Sequence, residues 1–157
     1  MSGSPVRPGH AVLDELGVDL FYKFARIEYA LKATGFHSGE GTMAQPNWDA
    51  FALKHGGALL RDPAIADSIK FMSDHPPKNQ VIAQGRLQWD DVQPNGNAAV
   101  ELLLCVRRVR NNMFHGGKFN DHWLDPQRSQ TLIEHAIKVL DACLSASEPL
   151  SRAYRDE

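Results

Sequence analysis

The sequence lacks most of the features that assign a small protein to a well-known class at first sight. Two cysteines occur in 157 residues and form no CxxC pair, which is typical of thiols in a reducing compartment rather than of a disulfide framework. No window reaches the roughly 18 apolar residues of a membrane span, and the first ten residues lack the apolar segment of a secretory signal. We therefore expect a cytoplasmic protein that makes no membrane contact.

Several catalytic motifs are also missing from the sequence. It has no Walker A or G-x-G-x-x-G phosphate loop, no G-x-S-x-G nucleophile elbow and no H-E-x-x-H metal motif. Its seven histidines do not follow the spacing of metal ligands, so we predict neither a metal nor a cofactor. The formal net charge of −2 excludes a general polycation, and a nucleic-acid contact would have to come from a local basic patch.

Helical periodicity is the main signal that the sequence does carry. Within about residues 11–34, Leu20, Phe24, Ile27 and Leu31 recur at helical spacing and form one apolar stripe. Further on, cap residues and helix breakers divide the chain. The predicted N-caps, two of them followed by proline, are Asn47, Asp62, Asn97 and Asp125.

These signals predict four more helices after the first, and the first of these four is short. The short helix spans 47–56 and ends at Gly56-Gly57, and the next begins at Asp62 and ends before His75. A long helix follows over 97–114, and the last one ends at Ala146. Residues 36–46 are predicted as a loop, and residues 75–97 mostly as a loop, with a short hairpin as the alternative.

Four or five helices without a convincing sheet favour an all-α bundle. We place this helical domain at residues 11–146. It lies between a disordered N-terminal segment over 1–10 and a C-terminal tail over 147–157.

The segment RRVRNNMFHGGK, residues 107–118, concentrates polar side chains around one Met-Phe pair. One interpretation is a helix C-terminus and nothing more, because cations suit the negative end of a helix and glycine suits the position after it. Two adjacent asparagines are poor helix formers, however, and a helix end does not need them. On an ideal helix His115 lies roughly 140° from Arg110 and roughly 40° from Asn111. We interpret these three as one polar corner at the end of the helix.

Such a corner suits the cleavage of RNA without a metal. Histidine titrates near neutral pH and transfers protons, whereas arginine stays charged and binds phosphate oxygens in a fork. Attack by the 2′-hydroxyl on phosphorus needs a base for that hydroxyl and a cation for the crowded transition state. Arg110, Asn111 and His115 are therefore the candidate catalytic residues, and RNA is the candidate substrate.

The stretch RNNMFH has the form R-[polar]-x3-H, and RNNMFHGGK resembles the R-x4-6-H motif of the HEPN superfamily (higher eukaryote and prokaryote nucleotide-binding domains). It closes a long apolar helix that is followed by one further helix, as in those proteins. The stretch LFYKFARIEYALKATGF also resembles their first helix. The similarity covers about residues 11–146 and is weakest over 75–97.

The resemblance implies a four- to five-helix bundle that forms a symmetric homodimer, with two copies of the motif facing one cleft. Many members are metal-independent endoribonucleases that act as toxins of toxin–antitoxin systems or in phage defence. Carried over to this chain, Arg110 and His115 take the paired catalytic positions, and Asn111 takes the polar position after the arginine. Other members bind a nucleotide or a protein partner without cleavage. The alternative function is therefore a binding module, with an antitoxin or a nucleotidyltransferase as a candidate partner.

Glu28 is a candidate supporting residue on the first helix. It lies beside the inward stripe, and burying an unpaired carboxylate there is costly. One interpretation is that Glu28 holds Arg110 or His115 in place. The other is that it is a partly exposed residue, unpaired or paired with Arg26 or Lys32.

Two residues near the motif have two interpretations each, and two neighbouring arginines have one each. Lys118 either extends the phosphate-binding surface or is a solvated loop lysine, and Asn112 either caps the helix or contacts RNA. Arg108 is a candidate second phosphate contact beside Arg110, although its direction on the helix is intermediate. Arg107 points away from the corner and is interpreted as a surface or dimer-edge charge.

Overall fold

The computed structural model of the chain describes residues 10–115, 118–119, 122–123 and 126–157. Within these ranges the chain is mostly helical, which confirms the all-α expectation in its coarse form. The α-helices are α1 (His10–Ala33), α2 (Trp48–Arg61), α3 (Ala66–Asp74), α4 (Ala98–His115), α5 (Pro126–Ala146) and α6 (Glu148–Arg155). A 3₁₀ turn over Pro63–Ile65 leads into α3. None of the helices in these ranges is long and apolar enough to cross a membrane.

The apolar stripe predicted for the first helix is the inner face of α1. Leu20, Phe24, Ile27 and Leu31 are all buried. They join one hydrophobic core to which the other long helices contribute. In this core α1 lies against α5 and α6, while α2 lies against α4. The spacing of apolar residues therefore indicated correctly which face of α1 is buried.

Three of the predicted N-caps make the expected hydrogen bonds. Asn47 Oδ1 accepts from the Ala50 amide at 3.0 Å, and Asn97 Oδ1 accepts from the Val100 amide at 3.0 Å. Asp62 Oδ1 accepts from an amide of the 3₁₀ turn at 2.9 Å. These bonds satisfy amide groups that have no partner inside the first turn of a helix. The fourth predicted cap, Asp125, lies outside the described residues.

The prediction that Gly56-Gly57 ends the second helix is wrong, because α2 continues through both glycines to Arg61. A Cβ atom on Gly56 would lie 2.5 Å from the Cβ of Ala99 on α4. Glycine is needed at this position for the close approach of two helices rather than for a turn. The packing contact more than compensates for the low helix propensity of glycine.

The C-terminal tail predicted over 147–157 is largely a sixth helix, α6. Its first turn is capped by Ser147, whose side chain accepts a hydrogen bond from the Leu150 amide. Leu150 is fully buried, and Arg26 of α1 donates to the Tyr154 carbonyl. The folded unit therefore extends beyond residue 146.

The region 75–97 contains a hairpin, which was the alternative to the predicted loop. Strands β3 (Asn79–Ala83) and β4 (Arg86–Asp90) pair in antiparallel register, after two short strands, β1 (His37–Ser38) and β2 (Gln45–Pro46), inside the predicted loop 36–46. Gln84 and Gly85 both have positive φ, as a two-residue type I′ turn requires. One face of this hairpin exposes Ile82, Leu87 and Trp89. A further pair of two-residue strands, β5 (Lys118–Phe119) and β6 (His122–Trp123), lies between α4 and α5.

Candidate functional site

Arg110 lies near the C-terminal end of α4, on the side that faces α1. Its Cζ atom is 5.4 Å from the ring centroid of Phe24 and 4.6 Å from that of Phe114. Phe24 belongs to the buried stripe of α1, and Phe114 is one helical turn after the arginine on α4. A guanidinium over aromatic rings is attracted to their electron-rich faces and loses part of its conformational freedom.

Among the described residues, Arg110 forms a polar contact with an amide and with no carboxylate. Its Nη1 donates to Asn111 Oδ1 at 3.0 Å. Its Nε is buried and has no hydrogen-bond partner among the residues that the structure describes. The two nearby arginines of α4 do have carboxylate partners. Arg107 lies 3.7 Å from Asp49, and Arg108 pairs with Glu101. A buried donor without a partner is costly.

Glu28 supports the arginine indirectly, through aromatic rings. Trp48 Nε1 donates to Glu28 Oε2 at 3.0 Å, and the Trp48 ring lies 5.1 Å from Phe24, on which Arg110 rests. Among the described residues Glu28 forms no ion pair with Arg110, and its predicted contact with His115 stays a prediction because the His115 side chain lies outside the described residues. The alternative pairing with Arg26 is not formed either, since Arg26 donates to the Tyr154 carbonyl. The cause is that Trp48, the first residue of α2, occupies the inner edge of α1.

Arg108 points to the other side of α4 and is already paired. Its Nη1 lies 3.1 Å and its Nη2 3.5 Å from the two carboxylate oxygens of Glu101. The two side chains are only 11% and 17% exposed. Arg108 and Arg110 are two residues apart, which on a helix is roughly 200° of rotation. The structure therefore does not bring Arg108 to the site of Arg110, and its predicted phosphate contact stays a prediction.

Asn112 connects the helix to the hairpin. Its Nδ2 donates to the main-chain carbonyl of Lys78 at 2.7 Å, just before β3 begins. This contact is neither the helix cap nor the RNA contact that the sequence left open. Asn112 therefore anchors the base of the hairpin next to the end of α4.

His115 is the last residue of α4, but its side chain lies outside the described residues, as does that of Lys118 in β5. The proposed roles of both residues stay predictions. In the ranges that are described, no group of three or more histidine, cysteine, aspartate or glutamate side chains is placed to hold a metal ion.

Both cysteines are buried and free, as expected from their apolar surroundings. Burial raises the pKa of the Cys105 thiol and of the Cys143 thiol to about 12. Neither forms the thiolate that a nucleophile requires. The interpretation of Cys105 as a core residue is confirmed by its burial.

The structure adds an aromatic surface that the sequence did not indicate. Phe21 of α1 and Phe114 of α4 lie 5.2 Å apart, centroid to centroid, and are 46% and 48% exposed. We call this pair the aromatic shelf. Part of this surface could be predicted from the sequence, because Phe114 is four residues after Arg110 and therefore lies on the same helix face. The contribution of Phe21 depends on how α1 crosses α4, which no local pattern specifies.

Comparison of the chain with protein-family models, with curated proteins and with solved structures found no match in any of the three.

Proposed function

We propose that the protein is a metal-independent endoribonuclease of the HEPN type. Arg110 binds the scissile phosphate, His115 transfers protons, and Asn111 orients Arg110 through their hydrogen bond. The observation that carries the proposal is the state of Arg110: it is held over two aromatic rings, and no described carboxylate neutralises it. A fixed guanidinium that no described carboxylate neutralises suits the phosphodiester anion and the additional charge of its transition state.

In the proposed reaction the 2′-hydroxyl attacks the adjacent phosphorus atom. The bond from phosphorus to the 5′-oxygen breaks, and the products are a 2′,3′-cyclic phosphate and a free 5′-hydroxyl. His115 serves the proton transfers that this exchange needs. Arg110 stabilises the negative charge that accumulates on the phosphate oxygens.

The exposed face of α1 supports a homodimer as part of the proposal. Val18, Tyr22, Ala25 and Tyr29 follow one another at alternating steps of four and three residues on that face, opposite the core. This spacing is typical of a helix–helix seam, and a small residue near its centre permits close approach. We infer that two copies of α1 pair here, with the Arg110 sites on either side of the seam.

The dimer is tested by the molar mass in solution. Ala25→Glu should convert a dimer to a monomer, because it places two like charges in the seam. Leu53→Glu on α2 is the matched control, since Leu53 is also exposed and apolar. A wild-type protein that is monomeric at high concentration contradicts the homodimer.

The nuclease is tested with purified protein and single-stranded RNA in excess EDTA. His115→Ala should lower the cleavage rate by about 100-fold or more, and Arg110→Ala by a similar factor. Arg107→Ala is the matched control, because it removes the same charge from the same helix and should change the rate by less than about twofold. Absence of cleavage of any RNA by the wild type, or an equal loss in all three variants, refutes the assignment.

We further propose that the nuclease acts in the cell as a toxin or a phage-defence effector. Expression of the wild type alone should then arrest growth, and His115→Ala should restore it. The test includes no partner, so it separates toxicity from the identity of any antitoxin.

A second candidate function is binding without cleavage, and the aromatic shelf favours it. Two exposed phenylalanines beside a cation suit a nucleotide or a protein partner, such as an antitoxin or a nucleotidyltransferase, whether or not any bond is broken. Salt-dependent RNA binding without cleavage and without toxicity would favour this function over the nuclease.

A further inference from the structure

The aromatic shelf and Arg110 form one continuous surface. The guanidinium of Arg110 lies over the ring of Phe114 at 4.6 Å, and that ring touches Phe21 at 5.2 Å. A fixed cation and an exposed apolar ring are therefore neighbours across the α1–α4 contact. A lone exposed phenylalanine needs no explanation, but a pair next to a guanidinium that no described carboxylate pairs with does.

The two halves of this surface match the two halves of a nucleotide. A phosphate is recognised by a guanidinium, and a base is recognised by stacking on an aromatic ring. Within a nucleotide one sugar separates the phosphate from the base, so both halves can be engaged only by neighbouring groups. Phe21 supplies the stacking ring, and Phe114 orients it and holds Arg110.

The same chemistry discriminates between paired and unpaired RNA. In a duplex the faces of the bases are stacked on one another, and they are not available to a protein ring. An unpaired base exposes its face at a lower cost, because no base pair has to open. The aromatic shelf can therefore accept a single-stranded segment and not the interior of an intact duplex.

We propose that Phe21, supported by Phe114, is the seat of an unpaired nucleobase whose phosphate lies at Arg110, so that the substrate class is single-stranded RNA. This inference rests on the proposed function for the identity of the phosphate site. The inference goes beyond the proposed function because it names the residues that select the substrate.

The experiment measures binding separately from cleavage. The probe is a fluorescent single-stranded 2′-O-methyl RNA, which binds but lacks the attacking hydroxyl. A blunt duplex of the same sequence and inorganic polyphosphate of similar charge are the comparison ligands. The protein variants are Phe21→Leu and Phe114→Leu, which keep apolar bulk and remove the ring. Trp89→Leu on the exposed hairpin is the matched aromatic control.

We expect the wild type to bind the single strand more tightly than the duplex. Phe21→Leu should weaken single-strand binding by about fivefold or more, the effect of one base stack, and should leave polyphosphate binding unchanged. Trp89→Leu should change neither. Equal binding of single strand and duplex, or a uniform loss for all ligands, overturns the inference. A change of molar mass in Phe21→Leu also overturns it, because the shelf then belongs to a protein interface.

The two proposals fail in different ways. If Phe21→Leu selectively weakens the single strand but natural RNA is never cleaved, the base seat stands and the nuclease is refuted. If RNA is cleaved with the Arg110 and His115 dependence described above but Phe21→Leu has no effect on binding, the nuclease stands and the base seat is refuted.

Discussion

The contact between α2 and α4 makes a sharp prediction about two adjacent glycines. Gly56 and Gly57 are both inside α2, and alanine is better than glycine by about 1 kcal/mol at an ordinary helix position. At Gly56, however, a new Cβ would lie 2.5 Å from the Cβ of Ala99. At Gly57 it would meet only the end of the Arg61 side chain, at 3.2 Å, and this flexible chain can move aside.

The expected free energies of unfolding follow from this difference. Gly57→Ala should stabilise the protein by up to about 1 kcal/mol. Gly56→Ala receives the same propensity gain, but two helices must separate by about 1 Å to reach normal carbon–carbon contact. Such overpacking costs about 1–3 kcal/mol. Both variants receive the same gain in helix propensity, so the difference between their free energies of unfolding equals the steric cost at Gly56.

The assay is equilibrium unfolding in urea, followed by circular dichroism at a helix wavelength. Gly56→Ala should be less stable than Gly57→Ala by about 1–3 kcal/mol, and the free energy of unfolding should depend on urea concentration equally in both variants. If Gly56→Ala proves as stable as Gly57→Ala, to within about 0.5 kcal/mol, then the two helices do not approach as closely as described, and the steric cost assigned to Gly56→Ala is wrong.

Two further predictions concern buried polar pairs. Arg108→Met should destabilise the fold by about 3 kcal/mol, measured by urea unfolding, because it leaves the largely buried Glu101 carboxylate without its cation. Adding Glu101→Gln to this variant should recover part of the lost stability. If it recovers none, the unpaired charge is not the cause of the loss. His135 bonds through Nδ1 to the buried Ser68 hydroxyl at 2.8 Å, and burial, aided by Lys138, lowers the pKa of its imidazole below the ordinary value. The unfolded chain then binds this proton at higher pH than the folded chain, so stability is fully present above about pH 6.5 and is lost as the pH falls below it. Urea unfolding at about pH 7.5 and 5.5 should show this loss, and His135→Gln should show a smaller one; an unchanged or larger difference contradicts the assignment.

Local signals in the sequence determined much of the helical framework. The stripe of Leu20, Phe24, Ile27 and Leu31 is read along one helix, and the hydrogen bonds of Asn47 and Asn97 reach only two or three residues along the chain. Interactions of this range depend on the local order of residues, so no knowledge of the fold is needed to predict them. The proximity of Arg110, Asn111 and Phe114 on one helix has the same origin.

Contacts between distant segments were decided only by the tertiary structure. A Gly-Gly pair is equally consistent with a helix end and with a close helix crossing, and it was Ala99, about forty residues further along, that made Gly56 the latter. In the same way Glu28 has several cations within reach on its own helix, yet its partner is Trp48 of the next one. The exposed pairing of Phe21 with Phe114 likewise depends on how α1 crosses α4, because packing angles result from the sum of all core contacts and not from any one segment.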